Sequence, residues 1–288
     1  MIPVAHAPFR FAMALLVSGI AALPAAGQGE IVYGANPRAG HSVRVNDIRM
    51  YYEVYGRGRP LVMMHGNGGW INDLRNQIPA FARSFRVIAL DSRAQGLSTD
   101  SDRELTFSLM ASDVAALLDS LGIDSAYVLG WSDGGIVGLD LALHYPRLVA
   151  KLVTVGANFL PDSTALPAAM IREMETSSFA ALDSAARHDI IARSHFPERA
   201  GLIYDKLNRL DLLHPHFTIA QLHAIAAPTL VMAADRDIII DTHTLALFHA
   251  LPNARLCILP GADHGLLLNK PALANEIIME FLSGGKGR

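Results

Sequence analysis

The sequence predicts an α/β fold: a mostly parallel central sheet flanked by helices, with a helical cap inserted late in the chain. Three observations predict it. After residue 60, short apolar runs alternate with segments that carry apolar residues at helical spacing. Residues 159–227 interrupt that alternation and contain no strand-like run. Residues 126–129, apolar and β-prone, pass through a glycine-flanked turn straight into a helix-forming segment. Brief, nearly continuous apolar runs suit strands buried on both faces, as the strands of a parallel sheet are.

Taken in order, the chain opens with a targeting pattern. Arg10 is the only charge before Glu30, residues 11–23 are apolar, and Ala25-Ala26-Gly27 places small residues at −3 and −1 before Gln28. This reads as a signal peptide over residues 1–27 and predicts a secreted or periplasmic mature protein. The apolar run falls short of the roughly 20 residues that a membrane span needs, so the mature chain is not expected to insert stably in a membrane. Residues 42–45 and 50–55 roughly alternate apolar and polar and predict antiparallel edge strands leading into the sheet.

Strands are then expected at 61–64, 86–90, 126–129, 151–155, 229–233 and 255–259. Between them, helices are expected at 72–84, 109–121, 135–144, 242–251 and 271–282. Residues 159–227 read as several helices broken near Pro167, Pro197 and Pro215, because a structureless loop of that length is rare in a compact domain. The expected organisation is therefore a core made of 28–158 and 228–288, with 159–227 as its cap.

The 288 residues allow one large α/β domain or two small ones, and a hydrophobic fraction of 51% allows a sizeable core. A net charge of −3 and the absence of a basic stretch give no footprint for nucleic acid. The Gly66-Asn67-Gly68-Gly69 cluster lacks the lysine of a phosphate-binding loop. Cys257 is the only cysteine and sits in an apolar run, so no disulfide forms within the chain. His188, His195, His214, His216 and His223 fall in the cap segment, but without the fixed spacing of a metal site, and no metal is expected.

The turn after residues 126–129 is Gly130-Trp131-Ser132-Asp133-Gly134, a G-x-S-x-G sequence between a strand and a helix. In that setting the serine sits on a sharp turn with its hydroxyl exposed. The glycines let neighbouring backbone pass without a Cβ clash. A nucleophilic Ser132 needs a base, an orienting acid and oxyanion donors. Open α/β sheets place such groups beyond the ends of their strands. His264, on the loop after 255–259 and a Pro260-Gly261 turn, is the expected base, since a neutral imidazole can take the serine proton and return it to a leaving group. Asp235 and Asp237 both follow 229–233, and spacing alone does not choose between them as the acid. The loop His65-Gly66-Asn67-Gly68-Gly69 follows 61–64; its N–H at Asn67 and that of Asp133 are the expected oxyanion donors. Trp70, Trp131 and Phe159 flank these motifs and are expected to supply an apolar wall for substrate.

Together these stretches resemble the α/β-hydrolase superfamily, specifically its small cap-bearing serine hydrolases of esterase and lactonase type. The resemblance runs from about residue 43 to 281 and includes Asp91-Ser92-Arg93-Ala94-Gln95-Gly96-Leu97-Ser98. There Ala94 stands where the family has glycine. In the family's acid motif the later aspartate orients the histidine, so the resemblance favours Asp237, with Ala234 replacing a usual glycine. Relatives with an aspartate nucleophile carry it between the two flanking glycines. Here that residue is Ser132, and Asp133 is out of register.

The resemblance implies hydrolysis of a small-molecule carboxylic ester or lactone through an acyl-enzyme, with a Ser132-His264-Asp237 triad and no cofactor. Relatives with the same triad also cleave carbon–carbon bonds in diketone-like substrates or act as cofactor-free perhydrolases and haloperoxidases. Others bind a small ligand as receptors with negligible turnover. The sequence leaves these alternatives open.

Overall fold

A computed structural model describes residues 31–284, so the signal peptide read over 1–27 lies outside the described residues. The strands are β1 (Gly40–Val45), β2 (Ile48–Tyr55), β3 (Arg59–Met64), β4 (Phe85–Leu90), β5 (Ala126–Trp131), β6 (Val149–Val155), β7 (Thr229–Arg236) and β8 (Ala254–Asp263). They form one eight-stranded sheet in the order β1-β2-β4-β3-β5-β6-β7-β8. β1 pairs antiparallel with β2, and β2 with β4; all pairings from β4 onward are parallel. Of the two leading strands, only β1 is an edge.

The helices are α1 (Ile78–Phe81), α2 (Phe107–Ser120), α3 (Asp133–His144), α4 (Ala168–Thr176), α5 (Ser184–Arg193), α6 (Ala200–Leu213), α7 (Ile219–His223), α8 (Asp241–Ala250), α9 (Leu266–Asn269) and α10 (Pro271–Ser283). They cover both faces of the sheet. Along β3, Val62 and Met64 join the core under α2 and α3, while Leu61 and Met63 join the core under α1 and α10. All four are fully buried, which is why a strand with period-2 side chains reads as an unbroken apolar run.

Two expectations are corrected. The single helix expected over 72–84 is a 3₁₀ turn at Ile71–Leu74 followed by the one-turn α1. Pro79 lacks an N–H, and its ring would strike the carbonyl four residues back, so it is tolerated only in the first turn of α1 and no helix continues into it from the turn before. Ile71, Leu74, Ile78 and Phe81 are still all buried, so the apolar period is right and the continuity is not. The second correction concerns Pro260-Gly261, expected as a turn. β8 continues through it to Asp263 as a bulge, the pairing passing from Ala234↔Leu259 to Arg236↔Asp263. Gly261 takes φ +65° there, which a glycine adopts without strain.

Between β6 and β7 the described residues form only helices and turns, α4 to α7. α6 anchors this segment. Lys206 and Arg199 both pair with the buried carboxylate of Asp100, at 3.1 and 2.8 Å, and Arg209 pairs with Glu104 at 3.0 Å. α5 buries no residue and α4 only Met174, so these two lie on the outside. At the other end, buried Glu53 accepts N–H groups of Gly34 and Asn36 and the hydroxyls of Tyr51 and Tyr55, pinning residues 34–36 to the sheet. Four donors fill the four acceptor positions of one carboxylate.

Candidate active site

Ser132 lies between β5 and α3 with φ +54° and ψ −120°, a strained backbone for a residue with a side chain. Packing of the two glycines makes the turn that sharp. A Cβ on Gly130 would strike the backbone of Gly134, and a Cβ on Gly134 would strike the carbonyls of Met64 and His65. The Ser132 N–H is held by the Val155 carbonyl at 2.7 Å.

His264 follows the bulge of β8. Its Nε2 lies 3.0 Å from Ser132 Oγ, and its Nδ1 lies 2.6 Å from Asp237 Oδ1. If Ser132 donates to Nε2, the ring proton sits on Nδ1 and is donated to Asp237. Asp237 also accepts the N–H groups of Ile239 at 3.1 Å and Ala234 at 3.2 Å. Burial pushes this carboxyl up, but the hydrogen bond and charge of His264, with those two N–H groups, hold it below the usual aspartate range. Asp235 is exposed and instead accepts the N–H of Ala262 at 3.1 Å, bracing the bulge. The geometry thus separates two aspartates that spacing left equivalent.

Two further residues pack on the histidine, and a third fixes the glycine loop beside Ser132. Gly156 takes φ +62°, and a Cβ there would come within 2.8 Å of the His264 ring and 3.4 Å of Asp237. Trp131 turns into the core and donates its indole N–H to the His264 carbonyl at 2.9 Å. His65, fully buried at the start of the glycine loop, spans Gly66 O at 2.7 Å from Nδ1 and the Ser92 N–H at 3.1 Å from Nε2. The second bond makes Nε2 the acceptor, so Nδ1 carries the proton. Burial lowers its pKa to about 4, which keeps this bolt neutral. The loop it fixes brings Gly66 against Ser132, where an added Cβ would lie 3.0 Å from the serine Cβ. Asn67 follows immediately, and Asp133 opens α3, where the first N–H groups have no intrahelical partner.

The stretch from Asp91 to Ser98 supports this loop from behind. Asp91 accepts the N–H groups of Ile71 and Leu97, and burial pushes its carboxyl up to about 7. Arg93 is buried in a two-pronged pair with Asp113, both contacts at 2.7 Å, and reaches Asp47 as well. Ala94 takes φ +65°, the conformation for which glycine is the easier residue.

One group beside Ser132 carried no signal in the sequence. Asp211, on α6, shares a hydrogen bond with the carboxyl of Asp133, and both meet the side chain of Asn67. Asp133 is 4% exposed. Burial first, and then Asp211 beside it, push its carboxyl well up; burial also raises Asp211 to about 6. Two carboxyls in contact do not both ionise readily, so the pair keeps a proton.

A cavity of about 40 Å³ opens on Ser132. Leu166, Met170 and Met174 line it from the segment between β6 and β7, and Asp133, Asp211 and His214 supply polar walls. The three aromatic residues expected as its wall lie elsewhere. Trp131 is in the core, Phe159 is buried against His243 at 4.0 Å between ring centres, and Trp70 packs on His195 at 5.6 Å. Trp131 ends β5, Trp70 and Phe159 lie on the loops after β3 and β6, and none of the three lines the cavity. Among the described residues, no group of three or more His, Cys, Asp or Glu could hold a metal ion, and no helix is long and apolar enough to cross a membrane.

The model of the α/β hydrolase fold matches residues 59–196. A solved hydrolase from Pseudomonas aeruginosa superposes with a TM-score of 0.71 at 25% identity, covering 86% of this chain and 99% of that one. The chain has the α/β-hydrolase fold. It is 29% identical over 259 residues to a protein of Agrobacterium fabrum named as a carbamate hydrolase, RutD, with 81% of this chain and 98% of that protein covered. The enol-lactonase of Burkholderia xenovorans shares the fold, with a TM-score of 0.68 at 19% identity and coverage of 84% and 100%. The protein is a hydrolase with an eight-stranded, mostly parallel sheet and a helical insertion.

Proposed function

We propose that this α/β hydrolase is a serine hydrolase that cleaves a carboxylic ester or lactone through an acyl-enzyme, with Ser132 as nucleophile, His264 as base and Asp237 as its orienting acid. The observation that carries the reading is the continuous line from Ser132 Oγ to His264 Nε2 at 3.0 Å and from Nδ1 to Asp237 at 2.6 Å. In the first half-reaction Ser132 Oγ bonds to the carbonyl carbon while its proton passes to Nε2. The backbone N–H groups of Asn67 and Asp133 face the developing oxyanion. The C–O bond breaks, and His264 returns the proton to the leaving alkoxide. A water then repeats the sequence on the acyl-Ser132 ester and releases the acid. Asp237, held ionised by its partners, steadies the imidazolium in both halves.

Residues 159–227 act in this reading as the cap, since they supply Leu166, Met170 and Met174 to the cavity. The leader over 1–27 directs export to the periplasm or the exterior. A second reading has a specific observation behind it: the carboxyls of Asp133 and Asp211 lie together close to Ser132, where burial raises both. A departing amine needs a proton more than an alcohol does, so cleavage of a carbamate C–N bond also suits this site. Stopped-flow hydrolysis of an activated ester and an activated carbamate tests both. A burst of one equivalent per active site supports the acyl-enzyme, and a linear onset with no trapped intermediate for either substrate contradicts it.

A further inference from the structure

The Ser132 cavity has room for only a few atoms. One water-sized position takes roughly 10–15 Å³ of such volume, against about 40 Å³ here. An ester with both acyl and alkoxy parts is larger than that, so the remainder of the substrate extends beyond it. His214 lines this cavity and also lines a second cleft of about 430 Å³. Helix α3 runs past both: Asp133 and Ile136 line the first, Asp140 and His144 the second. These four positions share one helical face. The seven-residue rise from Asp133 to Asp140 is about 10 Å.

The unused hydrogen-bonding capacity of the second cleft is dominated by donors. Asp140 is the only carboxylate lining it, and each of its oxygens already accepts a hydrogen bond, from His144 Nδ1 at 2.8 Å and from the Ser108 hydroxyl at 2.7 Å. The Gln221 Oε1 accepts the N–H and hydroxyl of Thr218, at 2.9 and 3.0 Å, which leaves its NH₂ group over. The Thr106 oxygen accepts the Leu109 N–H at 3.1 Å, which leaves its O–H. The imidazoles of His144, His214 and His216 complete the lining. A rigid set of donors around a cleft matches an acceptor-only group, and among common substrate groups a carboxylate fits best.

We propose that this cleft is a second subsite that binds a carboxylate borne by the substrate, about 10 Å from the bond that Ser132 attacks. Gln221, Thr106 and His216 are its donors, and the His214 ring is the partition past which the substrate runs along α3. The proposal rests on the reading of Ser132 as an ester-cleaving nucleophile.

The test compares kcat/KM for matched pairs of esters on the purified protein. Ethyl hydrogen suberate against ethyl octanoate places the carboxylate on the acyl side; 6-acetoxyhexanoate against hexyl acetate places it on the alcohol side. The variants are Gln221→Glu, which keeps the oxygen that caps α7 and replaces the donor with a charge, and His216→Ala. In the wild type one charged ester is expected to be preferred about tenfold, through KM. Gln221→Glu is expected to cut that preference at least fivefold, with the neutral ester within twofold of wild type. Equal rates within both pairs, or a preference that survives both variants, overturns the subsite. If no ester of either kind is turned over, the ester-hydrolase reading fails. Titration calorimetry with adipate then decides the subsite alone: binding weakened by Gln221→Glu supports it, and no binding overturns it.

Discussion

The carboxyl of Asp211, on α6, meets the carboxyl of Asp133, the residue that follows Ser132. This joins the helical segment to the turn that carries the serine, through a contact that needs a shared proton. The pair titrates as a unit. Its sign follows from Asp211, which burial raises to about 6 in the folded protein. Between an unfolded value near 3.9 and about 6, the native state holds more protons than the unfolded one, so stability falls as pH rises through that window. Asp211→Asn removes the penalty. At pH 4 the variant and wild type are expected to unfold alike, and at pH 7.5 the variant is expected to be more stable by on the order of 1–3 kcal/mol. Urea unfolding across this range is the measurement. A difference that does not grow with pH contradicts a protonated pair.

Asp235, near the end of β7, and Asp237, just beyond it, have different partners and so different fates. Asp237→Asn leaves the fold but presents His264 with a donor, and kcat is expected to fall by up to about 10⁴-fold. Asp235→Asn weakens only a surface bond to Ala262, so kcat is expected to stay within a few-fold of wild type. Steady-state kinetics of the two variants decide it, and a crippled Asp235→Asn with an active Asp237→Asn reverses the assignment.

The attachment of α6 rests on a buried ion cluster. Lys206 is 3% exposed in its side chain and Asp100 is 1% exposed. Lys206→Met leaves Asp100 with Arg199 alone, and such a broken buried pair costs roughly 3 kcal/mol or more. Limited proteolysis is expected to cut faster within 159–227 than in the sheet. Cleavage rates equal to wild type show that Lys206 does not hold the segment.

Met170 and Met174 of α4 line the Ser132 cavity, and in the proposed reading they select the acyl group. Met174→Ala opens space beside Ser132 and is expected to shift kcat/KM toward bulkier esters by about 10-fold for each well-placed methylene pair. Met170→Phe is expected to shift it the other way. A panel of acetyl to octanoyl esters reads the ranking, and an unchanged ranking in both folded variants removes the cap from substrate selection.

What the sequence disclosed follows from the range of the forces involved. The Ser132 turn is legible because its demands are largely local: Gly130 packs against the backbone of Gly134, and the strand and helix on either side are contiguous in the chain. His264 is legible from its loop position. The choice between Asp235 and Asp237 is not, because it depends on how three residues of β8 bulge against one of β7. Trp131 shows a related limit. An aromatic beside the serine suggests a substrate wall, but its place on β5 turns it to the inner face, where it fastens His264. Asp211 lies on a helix of otherwise ordinary pattern, and only the tertiary placement of α6 beside Asp133 and Asn67 brings it to the site. Pro79 is the one error that local reasoning contained the means to avoid.

The account stands on Ser132 as the nucleophile, and covalent labelling tests that most directly. A fluorophosphonate probe reacts with an activated serine hydroxyl, and intact-mass analysis counts its adducts. The wild-type protein is expected to gain one adduct, slowed by Asp237→Asn and absent in Ser132→Ala, whose kcat is expected to fall by several orders of magnitude. An adduct of equal yield on Ser132→Ala, or full turnover by that variant, contradicts the account.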